Sequence, residues 1–403
     1  MTERALSGMR VLDLTQFESG PSCTQFLAWL GAEVIKVEPP TGDPMRRPRP
    51  WERREVDSMF YLLHNANKRS IVIDLKRPDG HALFLRLVAL SDVVVENFAL
   101  GAMEKLRLDY EALRGVNPAI IVARIKGFGL SGPYSEYKSF EMIAQAAAGV
   151  MSVNGFSDRE PVRVGVGIGD TGTGVHTAGA IMAAYIQRLR TGQGQLVEVS
   201  MQEVLTNFLR QRYPDHYGSE GHAPRMGNEL TGSVPAGVFP CKPGGANDYV
   251  YILIHAATEK MWGGFARAID RPDLLDDPRF RDAAARWRHR ADVNTITHAW
   301  TSQRSKREAM ETLGRAGVPC SAVLDTADVL DDPHLSQRGA IVAIDHPTWG
   351  RYRMPGCPVR LSASPSATAP PPLLGQHTAE VLRELLGLSA SEVDDLRARG
   401  VVA

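Results

Sequence analysis

Strands and helices alternate along the first 150 residues, and this alternation limits the fold more than any other feature. Apolar runs predict strands over 9–16, 33–40, 68–76, 92–98 and 119–129, and helical spacing predicts helices over 23–32, 79–91 and 139–151. A strand, a helix and a second strand within about 30 residues form a βαβ unit, which implies a parallel strand pair. Repetition of this unit predicts a doubly wound, Rossmann-like α/β domain.

The composition changes after about residue 205. Residues 214–235 are rich in Gly, His, Pro and Asn, which predicts a linker or an exposed loop. The segment YVYILIHAATEKMWGGFARAI, residues 249–269, is predicted to begin a smaller α+β unit. Helical spacing returns near the end of the chain, over 378–387 and 390–400.

The charge balance and the cysteines exclude several classes of partner. Lys+Arg and Asp+Glu both number 46, and this zero net charge argues against nucleic acid as the main partner. The cysteines lie far apart without a C-x-x-C pair, and the histidines lack H-x-x-x-H spacing, so we predict no metal site. Scattered thiols, together with the lack of an apolar leader or membrane span, predict a cytoplasmic protein.

The glycine-rich segment VGVGIGDTGTGVHTAG, residues 164–179, contains a formal dinucleotide fingerprint in Gly167, Gly169 and Gly172. A true fingerprint belongs on the first βα turn, whereas this match lies some 165 residues into the chain, so NAD binding is disfavoured. Asp170, in the middle of the segment, could simply cap a helix that starts near Thr171. It could also be an ionised carboxylate, held by the helix dipole and exposed by its glycines, that acts as a nucleophile.

Taken in order, several segments of the chain resemble the class III CoA-transferases. The resemblance covers nearly the whole length and rests on GMRVLDLTQFESGPSCTQFLAWLGAEVIKVEPPTGDPMR, NKRSIVIDLK, DVVVENFALGAMEKL, IIVARIKGFGLSGPY, GIGDTGTG, TGQGQLVEVSMQE and PLLGQHTAEVLRELLG. It implies that Asp170 attacks an acyl-CoA thioester, so that CoA passes to a second acid through an aspartyl anhydride and an aspartyl-CoA thioester. On this interpretation the glycines give the substrates access to Asp170.

The resemblance also assigns the remaining site residues. Coenzyme A, as substrate and product, is expected to contact Phe17, Ser19, Ile73, Asn97, Phe98, Lys105 and Lys138. The acyl group or acid is expected near Gln16, Glu18, Phe140 and Glu141. Glu141 is further expected to have a hydrogen-bond donor as partner, because an uncompensated carboxylate pair would raise one pKa.

Some positions depart from formyl-CoA transferase, a member of that family. Gln16 stands where that enzyme has His, Glu18 where it has Gln, Pro39 where it has Arg and Phe140 where it has Tyr. Its glycine-rich lid has no counterpart in GNELTGSVPAG, residues 227–237. These departures argue against formate and oxalate and favour a larger or dicarboxylic acid, with succinyl-CoA as a possible donor.

The resemblance implies an architecture and leaves other functions open. It implies a large domain over 1–205, a small α+β domain over 222–330 and a C-terminal segment, 335–403, that returns to the large domain. Linkers around 205–222 and 325–340 would allow an interlocked homodimer. The alternatives are an α-methylacyl-CoA racemase, which would need His where Phe140 stands, and one subunit of a heteromeric transferase.

Overall fold

A six-stranded parallel sheet forms the centre of the larger unit. The computed structural model describes residues 4–218 and 221–403. The strands of this sheet are β1 (Arg10–Asp13), β2 (Glu33–Glu38), β3 (Arg69–Val72), β4 (Val93–Glu96), β5 (Ile121–Lys126) and β6 (Leu196–Ser200). Their order is β3-β2-β1-β4-β5-β6, and each neighbouring pair is parallel. This is the doubly wound order, in which the connections diverge between β1 and β4.

Helices pack on both faces of the sheet. The helices of this part of the chain are, in order, α1 (Ser19–Trp29), α2 (Met59–His64), α3 (Pro78–Ala89), α4 (Ala102–Lys105), α5 (Tyr110–Val116), α6 (Glu141–Ala147), α7 (Val150–Val153), α8 (Asp170–Thr191), α9 (Met201–Phe208) and α10 (Tyr213–Gly218), and those that pack on the sheet are named below. Short 3-10 turns lie at Pro44–Arg46 and Leu209–Arg212.

The inner strands are buried on both faces, as in VVVE of β4, whereas β6 at the edge of the sheet exposes Leu196 and Glu198. Side chains alternate between the faces, so Leu12 and Val94 belong to one core cluster and Val11 and Val93 to the other. Helices α3 and α5 pack in the first cluster, and α1 and α8 pack in the second.

Residues 154–161 and 224–333 form a second compact unit. It contains an antiparallel sheet of β7 (Ala236–Pro240), β8 (Tyr249–Leu253) and β9 (Cys320–Ala322). Its helices are α11 (Glu259–Ala268), α12 (Ala283–Arg288), α13 (Arg290–Thr301), α14 (Lys306–Arg315) and α15 (Thr326–Asp331), with a 3-10 turn at Pro272–Leu275.

The chain then returns to the first unit. This part contains α16 (Pro333–Gln337), the hairpin of β10 (Ile341–His346) and β11 (Gly350–Pro355), α17 (Thr378–Leu386) and α18 (Ala390–Ala398). Val381 and Val393, from α17 and α18, belong to the same core cluster as Leu12. The terminal segment therefore completes one face of the parallel sheet.

Several local predictions differ from the structure. The segments expected as linkers around 205–222 and 325–340 contain helices α9, α10, α15 and α16. Residues 154–161 belong to the second unit because Gly227 donates its N–H to the Gly155 carbonyl at 2.9 Å and Arg225 donates to the Phe156 carbonyl at 3.0 Å. Within the described ranges, no helix is long and apolar enough to cross a membrane.

Candidate active site

Asp170 is the first residue of α8, and its side chain lines a cavity of about 670 Å³ at the carboxyl ends of the sheet strands. Gly169, which has no side chain, occupies the N-cap position. The interpretation of Asp170 as a helix cap is therefore wrong. The dinucleotide-fingerprint interpretation also lacks its context, because residues 161–169, which precede the helix, form no strand.

The Glu141 carboxylate binds the two backbone N–H groups at the start of α8. Its carboxylate accepts the Gly169 N–H at 3.0 Å and the Asp170 N–H at 2.6 Å. A third hydrogen bond comes from the Gln145 side-chain amide at 2.6 Å. Glu141 is thus compensated by three donors and fixes the backbone that carries Asp170.

The surroundings of Asp170 do not favour its ionised form. Burial first, and then the neighbouring carboxylates of Glu18 and Glu141, raise the pKa of the Asp170 carboxyl to about 7, against an opposing effect of the Ser19 hydroxyl. The expectation that the helix N-terminus keeps this group ionised is wrong, because Glu141 occupies the amide donors. Near pH 7 the carboxyl therefore exists in both protonation states.

The glycines around Asp170 make room for the protein's own groups. A Cβ at Gly167 would overlap the Glu18 carboxylate, and one at Gly169 would approach Glu141 at 3.1 Å. A Cβ at Gly174 would lie 2.5 Å from the Ser19 carbonyl oxygen, on α1. The expectation that the glycines serve substrate access is therefore corrected at these positions, where they allow close approach of acidic side chains and of α1.

The cavity at Asp170 brings together most of the predicted site residues. The predicted residues in its wall are Phe17, Ser19, Asn97, Phe98, Lys138, Phe140 and Asp170. The Phe17 and Phe140 rings meet edge to face with their centroids 5.8 Å apart. Phe140 supplies an apolar wall. It has no proton-accepting atom, whereas a racemase base would require one.

A second cavity, of about 530 Å³, shares Phe98 with the first. Its wall contains the predicted residues Gln16, Ile73 and Lys105. Gln16, expected near the acid, therefore lines this cavity and not the one at Asp170. Ile73 also belongs to a core cluster, so it forms the apolar floor.

Sequence reasoning missed Lys76 in this second cavity. Ligands of such folds generally bind in the crevice at the carboxyl ends of the parallel strands. Because Lys76 closely follows β3, its position in the sequence could have identified it as a ligand-binding candidate. Pro39, where the resemblance expected an arginine, also lines the cavity.

Two predicted residues line neither cavity and instead contact the start of α8, where Asp170 lies. Glu18 accepts a hydrogen bond from the Thr171 hydroxyl at 2.9 Å, and Glu141 bonds the backbone as described. Asn97 lines the first cavity, but its amide is bonded to the Gln16 backbone. In the part of the chain that the structure describes, no group of three or more His, Cys, Asp or Glu side chains is arranged to hold a metal ion.

Comparison with known sequences identifies relatives over the whole chain. Residues 6–378 match the family model for CoA-transferase family III. The formyl-CoA:oxalate CoA-transferase of Streptomyces avermitilis is 39% identical, covering 99% of this chain and 100% of that protein. The enzyme of the same name from Bradyrhizobium diazoefficiens is 38% identical, with 99% of this chain and 98% of that protein covered.

Comparison with solved structures agrees. A CAIB/BAIF family protein from Brucella suis superposes with a TM-score of 0.85 at 32% sequence identity. The superposition covers 96% of this chain and 100% of the Brucella protein. The mixed α/β fold with its large parallel and small antiparallel sheets is therefore shared with that structure.

Proposed function

The chain belongs to CoA-transferase family III, and on that premise we propose that it moves CoA from an acyl-CoA to a carboxylic acid with Asp170 as the nucleophile. The observation that carries the proposal is the position of Asp170. It stands at the start of α8, lines a cavity large enough for an acyl-pantetheine end and has a pKa raised to about 7.

The two cavities fit the two ends of an acyl-CoA. Lys76 and Lys105 line the cavity remote from Asp170 and supply the point charges that phosphate groups prefer. Phe98 lies in both cavities and is the junction at which the pantetheine arm would pass from one to the other. Lys138 lines the cavity at Asp170 and is exposed, so it can also reach an anionic substrate.

The first half-reaction transfers CoA to the enzyme. An Asp170 carboxylate oxygen attacks the thioester carbonyl carbon, the C–S bond breaks, and CoA leaves as a thiolate while a mixed anhydride forms. The thiolate then attacks the Asp170 carbonyl carbon of the anhydride. The donor acid leaves as a carboxylate, and an aspartyl-CoA thioester remains.

The second half-reaction runs the same steps with the acceptor. The acceptor carboxylate attacks the aspartyl thioester and releases the thiolate, which then attacks the acyl carbonyl of the new anhydride. Acyl-CoA leaves and the Asp170 carboxylate is restored, with no net proton uptake. Because each intermediate is an activated acyl group, the free energy of the thioester is retained.

The raised pKa of Asp170 suits this chemistry. A carboxylate whose conjugate acid has a pKa near 7 is a stronger nucleophile than one near 4, and half of the groups remain ionised at neutral pH. Loss of charge on Asp170 during anhydride formation also relieves its repulsion by Glu18 and Glu141. The site therefore favours acylation of Asp170 over its free carboxylate.

For the substrates, we propose a carboxylic acid larger than oxalate, including longer dicarboxylic acids, with succinyl-CoA as the first donor to test. The cavity of about 670 Å³ and the apolar pair Phe17 and Phe140 support a bulky acyl group. The names of the curated relatives favour a second candidate, the formyl-CoA and oxalate pair. Both candidate sets of substrates would react with the same nucleophile, Asp170, and they differ only in the acyl group.

Intact-protein mass spectrometry after brief incubation with succinyl-CoA, formyl-CoA and other acyl-CoA esters tests the proposal. Wild type is expected to gain the mass of CoA less water, hydroxylamine is expected to remove it, and Asp170→Ala is expected to show none. Glu111→Gln, a change on the exposed surface of α5, serves as the matched control. If no adduct forms and an α-proton of the acyl-CoA exchanges for deuterium, the proposal is refuted and the protein is a racemase.

For the assembly, we propose a homodimer of this chain in the cytoplasm. Exposed apolar side chains on α8 support a contact with a second chain, among them Val175, Ile186 and Leu189. Sedimentation of the purified chain distinguishes a homodimer from a monomer that requires a different subunit.

A further inference from the structure

The side-chain amide of Asn97 joins the two loops that diverge at the centre of the parallel sheet. Asn97 directly follows β4, and its Oδ1 accepts the Gln16 N–H at 2.8 Å. Its Nδ2 donates to the Gln16 carbonyl at 2.7 Å. Both ends of the amide thus bond Gln16, in the β1–α1 loop of residues 14–18, and Nδ2 also donates to the Ser19 hydroxyl at 3.4 Å.

The turn that carries Asn97 is itself held rigidly. Glu96, which is fully buried, accepts the Phe98 N–H at 2.7 Å and two contacts from the Lys126 ammonium at 2.6 and 2.7 Å. The same ammonium donates to the Phe98 carbonyl at 2.7 Å. Asn97 therefore projects from a fixed turn, and it can hold the neighbouring loop in place.

The β1–α1 loop needs such support because its next residue is strained. Phe17 has φ +64°, in the left-handed region that a bulky aromatic residue rarely adopts. On the other side of Gln16, Thr15 is fixed by the Lys36 ammonium, which donates to its carbonyl at 2.7 Å, and by Asp13, which accepts its N–H at 2.9 Å. Phe17 is thus held between the anchored residues Thr15 and Gln16 and the start of α1.

The far end of the same loop meets the nucleophile. Glu18 accepts a hydrogen bond from the Thr171 hydroxyl at 2.9 Å, and Ser19, the next residue, lines the same cavity as Asp170, where its hydroxyl lowers the pKa of that carboxyl. We propose that Asn97 is a positioning residue that holds the β1–α1 loop so that Glu18 and Ser19 stay against Asp170, and that its amide is not a ligand for CoA. This inference rests on the proposed role of Asp170 and changes the expected role of Asn97.

Hydrogen–deuterium exchange of Asn97→Ala and wild type tests the loop directly and needs no activity. We expect the amide of Gln16 to lose its protection in the variant, and peptides covering 14–19 to exchange at least about tenfold faster. Asn97→Asp keeps the oxygen that accepts the Gln16 N–H, so its protection should lie between the two. Unchanged exchange of these peptides in Asn97→Ala would overturn the proposal.

Single-turnover formation of the CoA adduct separates positioning from binding. For Asn97→Ala we expect the maximal rate to fall about 10- to 100-fold, because small misplacements of reacting groups are costly, with little change in the acyl-CoA concentration for half-maximal rate. Lys138→Ala is the matched change in the same cavity and should mainly raise that concentration. The reverse pattern for Asn97→Ala would make it a CoA ligand and would also overturn the proposal. Absence of a CoA adduct on wild type would refute the proposed role of Asp170. It would also refute the positioning role of Asn97, even if hydrogen–deuterium exchange shows that Asn97 holds the β1–α1 loop.

Discussion

Replacing Asp170 by Asn should make the protein more stable, by an amount that grows with pH. The pKa of Asp170 is raised from 3.8 to about 7 in the folded state, so the folded protein binds the proton more tightly than the unfolded chain. Well below pH 3.8, the pKa of the unfolded chain, both states keep the proton and nothing is lost. As the pH rises toward 7, the unfolded chain ionises first and wild type loses stability.

The size of this loss follows from the pKa difference. At about 1.4 kcal/mol per pKa unit, the ionisable carboxyl costs wild type about 2 kcal/mol at pH 5 and about 4 kcal/mol at pH 8. The amide of the Asp170→Asn variant does not titrate, so the advantage of this variant should increase by about 2 to 3 kcal/mol between these pH values. Any difference in packing between the two side chains does not depend on pH and cancels in this comparison.

Urea unfolding followed by circular dichroism measures this change at pH 5 and pH 8, with the protein concentration held constant. Glu111→Gln, a change at an exposed acidic residue, should show the same difference from wild type at both pH values. A constant difference for Asp170→Asn would refute the argument. An advantage that shrinks with pH would mean that the folded state stabilises the charged carboxylate.

Other changes test the neighbouring groups. Glu18→Gln removes a charge that raises the pKa of Asp170, so the pH midpoint of adduct formation, measured by quenched-flow mass spectrometry, should fall by about 1 unit; an unchanged midpoint would contradict this. Gly174→Ala should destabilise the protein by about 1–3 kcal/mol in urea unfolding because its Cβ would meet the backbone of α1. Gly179→Ala, on the same helix with open space around its Cβ, should stabilise it by about 0.5–1 kcal/mol, and equal effects would refute the packing argument. Lys68→Met should lower the free energy of unfolding by about 3–5 kcal/mol, because it removes the ammonium that forms an ion pair with the buried Asp13 carboxylate on β1. A loss under ~1 kcal/mol would contradict a stabilising role for this ion pair.

The parallel sheet could be predicted because its signal is local. Runs such as VVVE, residues 93–96, are apolar on both faces, and the spacing between them leaves room only for a helix and two short turns. The order of the strands in the sheet does not follow from these runs, because pairing is decided by contacts between distant segments. The hairpin of β10 and β11 was not predicted, since its polar alternation, as in GRYRMP, resembles a loop.

Asp170 could be found in the sequence as a candidate, but its electrostatic state could not. The glycine-rich segment indicates that another group approaches the backbone closely near Asp170, but it does not show which group this is. Glu141 lies 29 residues before Asp170, Glu18 lies 153 residues before Thr171, and only the fold brings their carboxylates to the start of α8. Asn97 was likewise recognised as a site residue, whereas its bond to Gln16 depends on the adjacency of β1 and β4.

The return of the terminal segment to the parallel sheet affects the order in which the chain can fold during synthesis. The Val401 carbonyl accepts the Asp74 N–H at 2.9 Å, and Val402 forms an isolated antiparallel β-bridge with Ile73, which lines the second cavity. The ribosome completes residues 154–161 and 224–333 before this segment emerges, so that unit can fold first. Meanwhile one face of the parallel sheet lacks α17 and α18, and its apolar residues remain available to chaperones until both helices have left the ribosome.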